Sequence, residues 1–465
     1  MTISSVDENP IQEIEITFST EEEKIKFAIY KKKVEVELLR MRWEWVEASI
    51  WTDSMLTALE NGVKGGKWFS LYDKVYAEKT LQIAWQKVKR NKGAAGVDKV
   101  SIHRFTKHAD KYLEKLRKEL IEGTYKPLDV KRVNIPKEKG KTRPLGIPAV
   151  IDRIAQAAVK LLIEPIFEKI FLPMSFGFRP GRGAKDALRE VDLTIKEGYT
   201  WVVDADLQSY FDTIPHDKLM AKIECHISDG KVLKLIRQWL EQGILEDGKS
   251  WIPTQGTPQG GVLSPVLANL YLHDLDVRIT KAGFKMVRYA DDFVILTKSK
   301  DEAESALLLV RGWVAENGLT LHPDKTHIGD CMQEGQGFDF LGYRFEGGKR
   351  WVRQKSILKF RETIRQKTGR LRSGSISEII KDVNKTLKGW YQYFKHVTKW
   401  GLETFDGFVR RRLRAIMLKR MKKKKGFGKN RKAHTKWPNE FFAKHGIFTM
   451  ESHRCQEVAG RSRRG

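Results

Sequence analysis

The sequence predicts an α/β (α+β) protein in which short strands gather in the middle of the chain and helices surround them. Most segments place apolar residues at helical spacing, as in residues 24–60 and 304–321. Runs that alternate in polarity or are rich in β-branched residues fall between these helices, at residues 131–150, 199–207 and 284–296. The last quarter of the chain returns to a helical pattern and is strongly basic.

The N-terminal part is predicted to consist of helices separated by breaks. A broad apolar stripe indicates a helix over residues 24–60, which the glycine-rich stretch 61–69 ends. Residues 78–98 indicate a second helix followed by a glycine-rich loop. Residues 108–123 indicate a third helix, with Gly123 as its C-cap.

The middle of the chain alternates predicted strands and helices. Residues 131–150 alternate in polarity around a Lys/Gly turn, which predicts a hairpin with a basic tip. The segments that follow are predicted helices at 152–171, 183–198, 264–283 and 304–321, and a buried strand at 199–207.

Charge is distributed unevenly along the 465 residues, which carry 86 Lys and Arg against 59 Asp and Glu, a net charge of +27. Residues 351–465 alone hold 32 Lys and Arg and 8 Asp and Glu. Residues 1–23 hold seven acids and no Lys or Arg, which predicts a loose acidic tail. The basic excess predicts a polyanionic partner, with nucleic acid as the default and a membrane surface as the alternative. No membrane association is expected, because the sequence has no run of about 18 apolar residues and no signal-peptide pattern.

The three cysteines, Cys225, Cys331 and Cys455, stand more than 100 residues apart, and no CxxC pair occurs. A zinc site and a disulfide framework are therefore not expected. Reduced, unpaired cysteines fit a cytoplasmic protein.

Acidic residues stand in the apolar stretch "FKMVRYADDFVIL", where Asp291 and Asp292 interrupt residues 284–296. One interpretation places them in water at the tip of a β-hairpin. A third acid, Asp206, ends the buried strand at 199–207, and by itself it could be a capping acid. If the three carboxylates meet, their repulsion requires a cation between them. Oxygen ligands favour Mg²⁺, and two such ions roughly 3.5–4 Å apart suit nucleotidyl transfer.

Three motifs in order resemble the palm of reverse transcriptases. "RYADDFVIL" resembles their YxDD box, and "DADLQSYFDTIPHDKL" (204–219) resembles their first palm motif. Between them, "GTPQGGVLSPVLANLYLHDLD" (256–276) resembles the PQG motif and the helix that follows it. The resemblance implies a right-hand polymerase with fingers and an antiparallel-sheet palm, followed by a helical thumb.

Further blocks resemble the bacterial group II intron reverse transcriptase/maturase family, over roughly residues 80–445. Residues 387–414, "LKGWYQYFKHVTKWGLETFDGFVRRRLR", resemble the maturase (X) domain of that family. The other blocks are "RNKGAAGVD", "IPKEKGKTRPLGIPAVIDRIAQ", "FGFRPGRGAKDAL", "NGLTLHPDKT" and "FDFLGYRF". The resemblance implies an N-terminal extension at 1–79, fingers and palm at 80–350, a helical thumb/maturase domain at 351–420 and a basic DNA-binding region at 421–465.

The resemblance also implies roles for individual residues. Asp206 and Asp291 are the expected ligands of two Mg²⁺ ions, for which Mn²⁺ could substitute, together with the backbone of Leu207; Asp292 is the third acid. The expected nucleotide-binding residues are Lys141, Arg143, Phe211, Gln259, Gly260 and Lys325. Phe211 is expected to exclude a 2′-hydroxyl, and Lys141 and Arg143 to hold the triphosphate. Core packing, a plain turn and a solvated loop are the alternatives for Phe211, the PQG glycines and the basic hairpin tip.

The basic quarter is expected to contact nucleic-acid phosphates, which position a nucleic acid without specifying its sequence. The expected contacts are Arg410, Arg411, Arg412, Arg414, Lys419, Arg420, Lys422, Lys423, Lys424 and Lys425. The interleaved aromatics are expected mainly in the core of a helical bundle. Some members of the resembled family carry a C-terminal HNH endonuclease with paired cysteines, which cuts the second DNA strand. This sequence has no such pairs, so a primer from another source is expected.

The sequence therefore predicts an RNA-directed DNA polymerase that also assists splicing and mobility of a group II intron in a bacterial cytoplasm. The expected partners are intron RNA, target DNA, a primer and dNTPs. Two alternatives stay open: an RNA-binding splicing cofactor with a vestigial polymerase site, and a domesticated reverse transcriptase of phage defence.

Overall fold

The computed structural model describes residues 20–136, 142–323, 325–398, 402–421 and 431–462. The helices are α1 (Glu21–Arg42), α2 (Asp53–Asn61), α3 (Tyr72–Val75), α4 (Glu78–Asn91), α5 (Ile102–Lys107), α6 (Ala109–Glu122), α7 (Val150–Ile170), α8 (Ala184–Lys196), α9 (Tyr210–Thr213), α10 (His216–Glu224), α11 (Gly230–Leu240), α12 (Ser264–Lys281), α13 (Lys300–Glu316), α14 (Gln354–Lys367), α15 (Ile376–Phe394), α16 (Leu402–Arg420), α17 (Arg431–Lys436), α18 (Asn439–Lys444) and α19 (Met450–Ser462). The strands are β1 (Val130–Pro136), β2 (Thr142–Ile147), β3 (Trp201–Asp206), β4 (Ile244–Glu246), β5 (Lys249–Trp251), β6 (Lys285–Tyr289), β7 (Asp292–Thr297), β8 (His327–Asp330), β9 (Phe338–Phe340), β10 (Tyr343–Glu346) and β11 (Lys349–Val352). The mixed α/β class predicted from the sequence is confirmed.

The chain divides into two compact units, of which the first contains residues 20–128, 148–170 and 224–238. This unit is helical, and α4 packs along α7 at its centre. Trp51 is fully buried, and its indole Nε1 donates to the carbonyl of Leu161 at 2.9 Å. That hydrogen bond satisfies the polar edge of a large apolar side chain, so the ring can be buried at little cost.

The predicted single helix over residues 24–60 is wrong, because the structure has two helices there. Helix α1 ends at Arg42, and α2 begins at Asp53. The hydroxyl of Thr52 accepts a hydrogen bond from the amide of Met55, which makes Thr52 an N-cap. The apolar residues between the helices, including Trp43 and Trp51, are buried and hold the connection against the unit.

The second unit contains residues 129–147, 171–223 and 239–465, within the described ranges. Its central antiparallel sheet has the order β6-β7-β3-β8. Arg288 on β6 is fully buried and donates to both carboxylate oxygens of Asp276 on α12, at 2.7 and 2.5 Å. The bidentate geometry and a further hydrogen bond to Asn269 compensate for burying the charge, and they fix β6 against α12.

A second sheet of this unit has the order β2-β1-β4-β5 and contains the predicted hairpin. Strands β1 and β2 are antiparallel, with Ile135 opposite Arg143 and Pro136 opposite Thr142. The hairpin tip, residues 137–141, lies outside the described residues, and with it the predicted contact of Lys141.

The C-terminal helices share one apolar core with the sheet β11-β10-β9. Of the aromatics that the sequence placed in a helical core, Tyr391, Phe394 and Phe405 are buried there. Partly buried residues packed against the same core are Trp390, Tyr393 and Phe408. Trp437 and Phe442, which lie beyond residue 420, belong to the same core. The predicted boundary between residues 420 and 421 therefore does not coincide with a break in packing, and the other predicted boundaries stay predictions.

Candidate active site

Three carboxylates meet at one end of the central sheet. Asp206 is the last residue of β3 and stands opposite Asp292, the first residue of β7, in the antiparallel register. Asp291 lies in the turn between β6 and β7, directly after Ala290, whose φ is +60°. Because side chains alternate along a strand, the register that pairs Asp206 with Asp292 also decides which acids share a face.

The electrostatics of this cluster indicate excess negative charge. Burial, together with the neighbouring Asp206 and Asp291, raises the pKa of Asp292 to about 7. Burial also raises the pKa of Asp291, with Asp206 contributing. Asp204, two residues before Asp206 on β3, has a pKa raised to about 7 by burial and by Asp292. Carboxylates in this arrangement require a nearby cation in order to stay ionised.

A cation from the chain itself already contacts the cluster. The ammonium of Lys325 forms an ion pair with Asp206 Oδ2. The sequence placed Lys325 near the substrate phosphates, and the structure places it on a carboxylate at the same sheet end. Within the described ranges, no three His, Cys, Asp or Glu side chains close around a common metal position. The predicted metal contacts of Asp206 and Asp291 therefore stay predictions.

The backbone of Leu207 continues the pairing beyond the end of β3. Leu207 forms an isolated antiparallel bridge with Leu321, and the amide of His322 donates to the carbonyl of Asp206 at 2.8 Å. The predicted metal contact of the Leu207 backbone stays a prediction.

Two of the predicted nucleotide-binding residues, Arg143 and Gln259, take part in a series of side-chain hydrogen bonds. The guanidinium Nε of Arg143 on β2 donates to Gln259 Oε1 at 2.8 Å. Gln259 Nε2 in turn donates to Asp212 Oδ2 at 2.9 Å. Burial raises the pKa of the Asp212 carboxyl. Sequence analysis did not assign Asp212 a role, although its position six residues after Asp206 was the available signal.

A cavity of about 180 Å³ lies beside the hydrogen bond between Gln259 and Asp212. Arg132, Asp212 and Gln259 line it together with Thr257, whose buried hydroxyl has no hydrogen-bond partner among the described residues. Phe211 is only 9% exposed, and its carbonyl accepts from the amide of Thr257 at 2.6 Å. This hydrogen bond ties the first palm motif to the PQG loop.

Gly260 allows the PQG loop to lie against β2. Its φ is +114°, and a Cβ atom there would stand 2.2 Å from the carbonyl oxygen of Gly146. The amide of Gly146 donates to the carbonyl of Gln259 at 2.6 Å. Only glycine fits this backbone. The close approach in the structure is to a strand, and the predicted approach to a nucleotide stays a prediction.

The predicted phosphate contacts of the basic quarter differ in exposure. Arg414 is 2% exposed and donates to the carbonyl of Trp437 and to Asn439, both at 2.9 Å. The interpretation of Arg414 as a phosphate contact is therefore wrong; its guanidinium ties α16 to the segment that follows α17. Arg412 donates to the hydroxyl and carbonyl of Thr368, at 3.1 and 2.8 Å.

The remaining basic residues are more open. Arg410 and Arg411 are half-buried, with the guanidinium of Arg411 5.4 Å from the ring centroid of Phe408, and Lys419 and Arg420 are exposed. Arg420 also donates to the carbonyl of Gly374 at 2.5 Å. Lys422, Lys423, Lys424 and Lys425 lie outside the described residues.

An antiparallel sheet that brings three aspartates beside a glutamine-bearing loop is the arrangement that the sequence predicts for the palm of a nucleic-acid polymerase. The family model described as reverse transcriptase (RNA-dependent DNA polymerase) matches residues 135–345. The family model described as group II intron, maturase-specific domain matches residues 357–437. The chain belongs to the family of group II intron reverse transcriptases and maturases, which confirms the sequence-based interpretation.

Several known proteins are similar to this chain. Protein YkfC of Escherichia coli is 37% identical over 299 residues, which cover 55% of this chain and 77% of the relative. The group II intron-encoded protein LtrA of Lactococcus lactis is 38% identical over 209 residues. That match covers 44% of this chain and only 34% of LtrA. A solved partial Cas6-RT-Cas1–Cas2 complex is 24% identical, with a TM-score of 0.35, over 53% of this chain and 41% of that one.

Within the described parts of the chain, no helix is both long enough and apolar enough to cross a membrane.

Proposed function

We propose that this protein extends a DNA primer on an RNA template and that it also binds a group II intron RNA to assist its splicing and mobility. The observation that carries the polymerase half is the convergence of Asp206, Asp291 and Asp292 at one end of the central sheet. The supporting family membership implies divalent metal ions and intron RNA as a partner.

Asp206 and Asp291 are the proposed ligands of two Mg²⁺ ions, with Asp292 as the third acid. The raised pKa values of Asp291 and Asp292 support this, because they show a buried cluster with too much negative charge. When bound, such ions favour deprotonation of the primer 3′-hydroxyl and balance charge on the departing pyrophosphate.

The residues around the cluster orient the nucleotide. Arg143 and Gln259 are already hydrogen-bonded to each other, so a triphosphate or base entering beside them meets groups held in place. Phe211, buried on the first palm motif, is the proposed barrier to a 2′-hydroxyl. Lys325 forms an ion pair with Asp206, and it is proposed to exchange this carboxylate for a substrate phosphate.

The maturase half of the proposal concerns the basic C-terminal helices. Residues 351–465 carry 32 Lys and Arg against 8 acids, and the maturase-specific match lies within them. Such a surface binds phosphate irrespective of sequence, and recognition of one folded RNA then depends on its shape and exposed loops. Target DNA, the primer and dNTPs are the further proposed partners, and the proposed location is a bacterial cytoplasm.

The first test is dNTP incorporation on poly(rA)/oligo(dT) with Mg²⁺. The native protein is compared with Asp291→Ala and with Asp301→Ala, a control that removes an exposed aspartate at the start of α13. Native protein and the control should extend the primer, and Asp291→Ala should not. If the native protein incorporates no dNTP, or if Asp291→Ala incorporates it normally, the polymerase proposal fails.

A further inference from the structure

Phe178 combines backbone strain with exposure. It stands in the "FGFRPGR" segment between two buried residues, Gly177 and Arg179, and its own side chain is 50% exposed. Its φ is +59°, in the left-handed region that bulky residues rarely adopt. An isolated exposed phenylalanine is ordinary on a protein surface. One that is held in a strained backbone conformation points to a function.

The neighbours of Phe178 explain why the strain falls there. A Cβ atom on Gly177 would stand 2.3 Å from the backbone nitrogen of Ala290, so this glycine is used for close approach. Its carbonyl accepts from Asn269 Nδ2 at 2.7 Å. On the other side, the guanidinium of Arg179 donates to the carbonyls of Leu172 and Ser175 at 2.6 and 2.7 Å. With both flanks fixed, the ring at 178 is directed outward.

This segment runs alongside β6, the first strand of the β6–β7 hairpin, whose turn carries Asp291 and is the catalytic turn of the proposed function. Ser175 forms a parallel bridge with Arg288, and the amide of Phe176 donates to the carbonyl of Arg288 at 2.8 Å. Continuing that register sets Gly177 beside Ala290, as its close approach shows. Phe178 directly follows this contact, and Asp291 directly follows Ala290, so the exposed ring belongs to the segment that packs beside the carboxylate turn.

We propose that the ring of Phe178 is a stacking platform for a nucleobase of the template–primer beside the catalytic turn. The inference rests on the proposed function, since it assumes that a nucleic acid occupies this site. An exposed aromatic face accepts any base, because every base offers a flat π-surface. The carboxylates would hold the metal ions that bind the reacting phosphates, and the ring fixes a base relative to them. Phe178 is therefore a positioning residue.

The test places 2-aminopurine at the primer 3′-end or at the templating position of an RNA–DNA duplex. Quenching of its fluorescence reports stacking without requiring any chemical step. Native protein is compared with Phe178→Asn, which tolerates a positive φ, and with Phe178→Trp, which keeps an aromatic face. Phe69→Asn is the matched control, because Phe69 is also an exposed phenylalanine.

Native protein, Phe178→Trp and Phe69→Asn should quench one of the two positions. Phe178→Asn should lose that quenching and bind the duplex roughly 5- to 100-fold more weakly, the range expected for one base–aromatic stack. Its Tm should stay equal or rise, since asparagine relieves the backbone strain.

Unchanged quenching and affinity in Phe178→Asn would overturn the proposal. A fall in its Tm that accounts for the lost affinity would overturn it as well, because the ring would then be structural. Primer extension is measured in parallel. Native protein that binds and quenches but does not extend rejects the polymerase function and leaves the stacking role standing.

Discussion

At the scale of single residues, the active site is a set of charges that the fold forces together. Asp292 illustrates this, because its pKa is raised to about 7 by burial and by Asp206 and Asp291. Like charges close together destabilise the folded protein, and a cation bound between them would offset that cost. A substitution that removes the charge of one of these aspartates should therefore lower activity and raise the stability of the metal-free protein.

We expect Asp292→Asn to raise stability without divalent ions while removing polymerase activity. The substitution keeps the side-chain volume and deletes one repelling charge, which should stabilise the fold by on the order of 1 kcal/mol. Thermal unfolding in EDTA measures the gain, with Asp301→Asn as the exposed control. A lower Tm for Asp292→Asn would show that the carboxylate is held by favourable contacts instead.

The same reasoning predicts a stabilising effect of metal. Adding Mg²⁺ should raise the Tm of the native protein, because ligand bound only to the folded state stabilises it. The shift should be lost in Asp206→Asn, which removes a carboxylate from the cluster. An equal Mg²⁺ shift in both proteins would place the binding elsewhere.

Asp212 gives a prediction about nucleotide binding. Its carboxylate accepts from Gln259 at 2.9 Å, so Asp212→Ala should remove that hydrogen bond and leave the glutamine held through its bond to Arg143. Losing one such hydrogen bond costs about 1–2 kcal/mol, or roughly a 5- to 30-fold rise in KM for dNTP. Asp212→Asn keeps an acceptor oxygen and should stay near the native KM. If both variants behave alike, the hydrogen bond does not position Gln259.

At the scale of elements, helix α15 in the C-terminal part has a local sequence signal that marks where it begins. Helix α15 begins with a capping box: the hydroxyl of Ser375 accepts from the amide of Glu378, and the carboxylate of Glu378 accepts from the amide of Ser375. Two backbone donors are thereby satisfied at the start of a helix whose apolar face enters the core.

Ser375→Ala should destabilise this region by about 1 kcal/mol, the usual cost of losing a serine N-cap. Ser377→Ala, in the first turn of the same helix and exposed, should change little. Urea unfolding followed by circular dichroism compares the two. Equal midpoints for the two variants would show that α15 is held by its packing alone.

At the scale of the whole molecule, charge and packing separate the roles of the basic residues. Arg414 is buried among α16 and its neighbours, whereas Arg410 and Arg411 are only half-buried. The large positive charge of the last quarter is therefore divided between guanidinium groups inside the fold and cations at its surface. Exposure decides which of these arginines can meet a phosphate.

Binding to RNA should weaken steeply with salt, and the joint substitution of Arg410 and Arg411 by alanine should reduce the slope of log K against log salt by about 1–2. Lys300→Ala, which removes an exposed cation on α13, is the control and should keep the native slope. A double variant that keeps the native slope would exclude both arginines from the RNA interface.

The sequence by itself determined the mixed α/β class, the family, and the identity of the three acids. These follow from local patterns: apolar periodicity, β-branched runs, and the YADD and PQG motifs in order. The single helix predicted over residues 24–60, which is two helices in the structure, shows that such patterns do not always predict where a helix ends. Its apolar residues are spaced for a helix, but tertiary burial of Trp43 and Trp51 favours a break between α1 and α2.

Only the tertiary structure decided which distant side chains meet. Strand register set Asp206 opposite Asp292, and long-range contacts joined Gln259 to Asp212 and buried Arg414. The strain at Phe178 likewise arises from the close approach of Gly177 to Ala290, more than 100 residues away along the chain. A local pattern reports what a residue prefers, whereas charge pairing, burial and backbone strain depend on neighbours that only folding supplies.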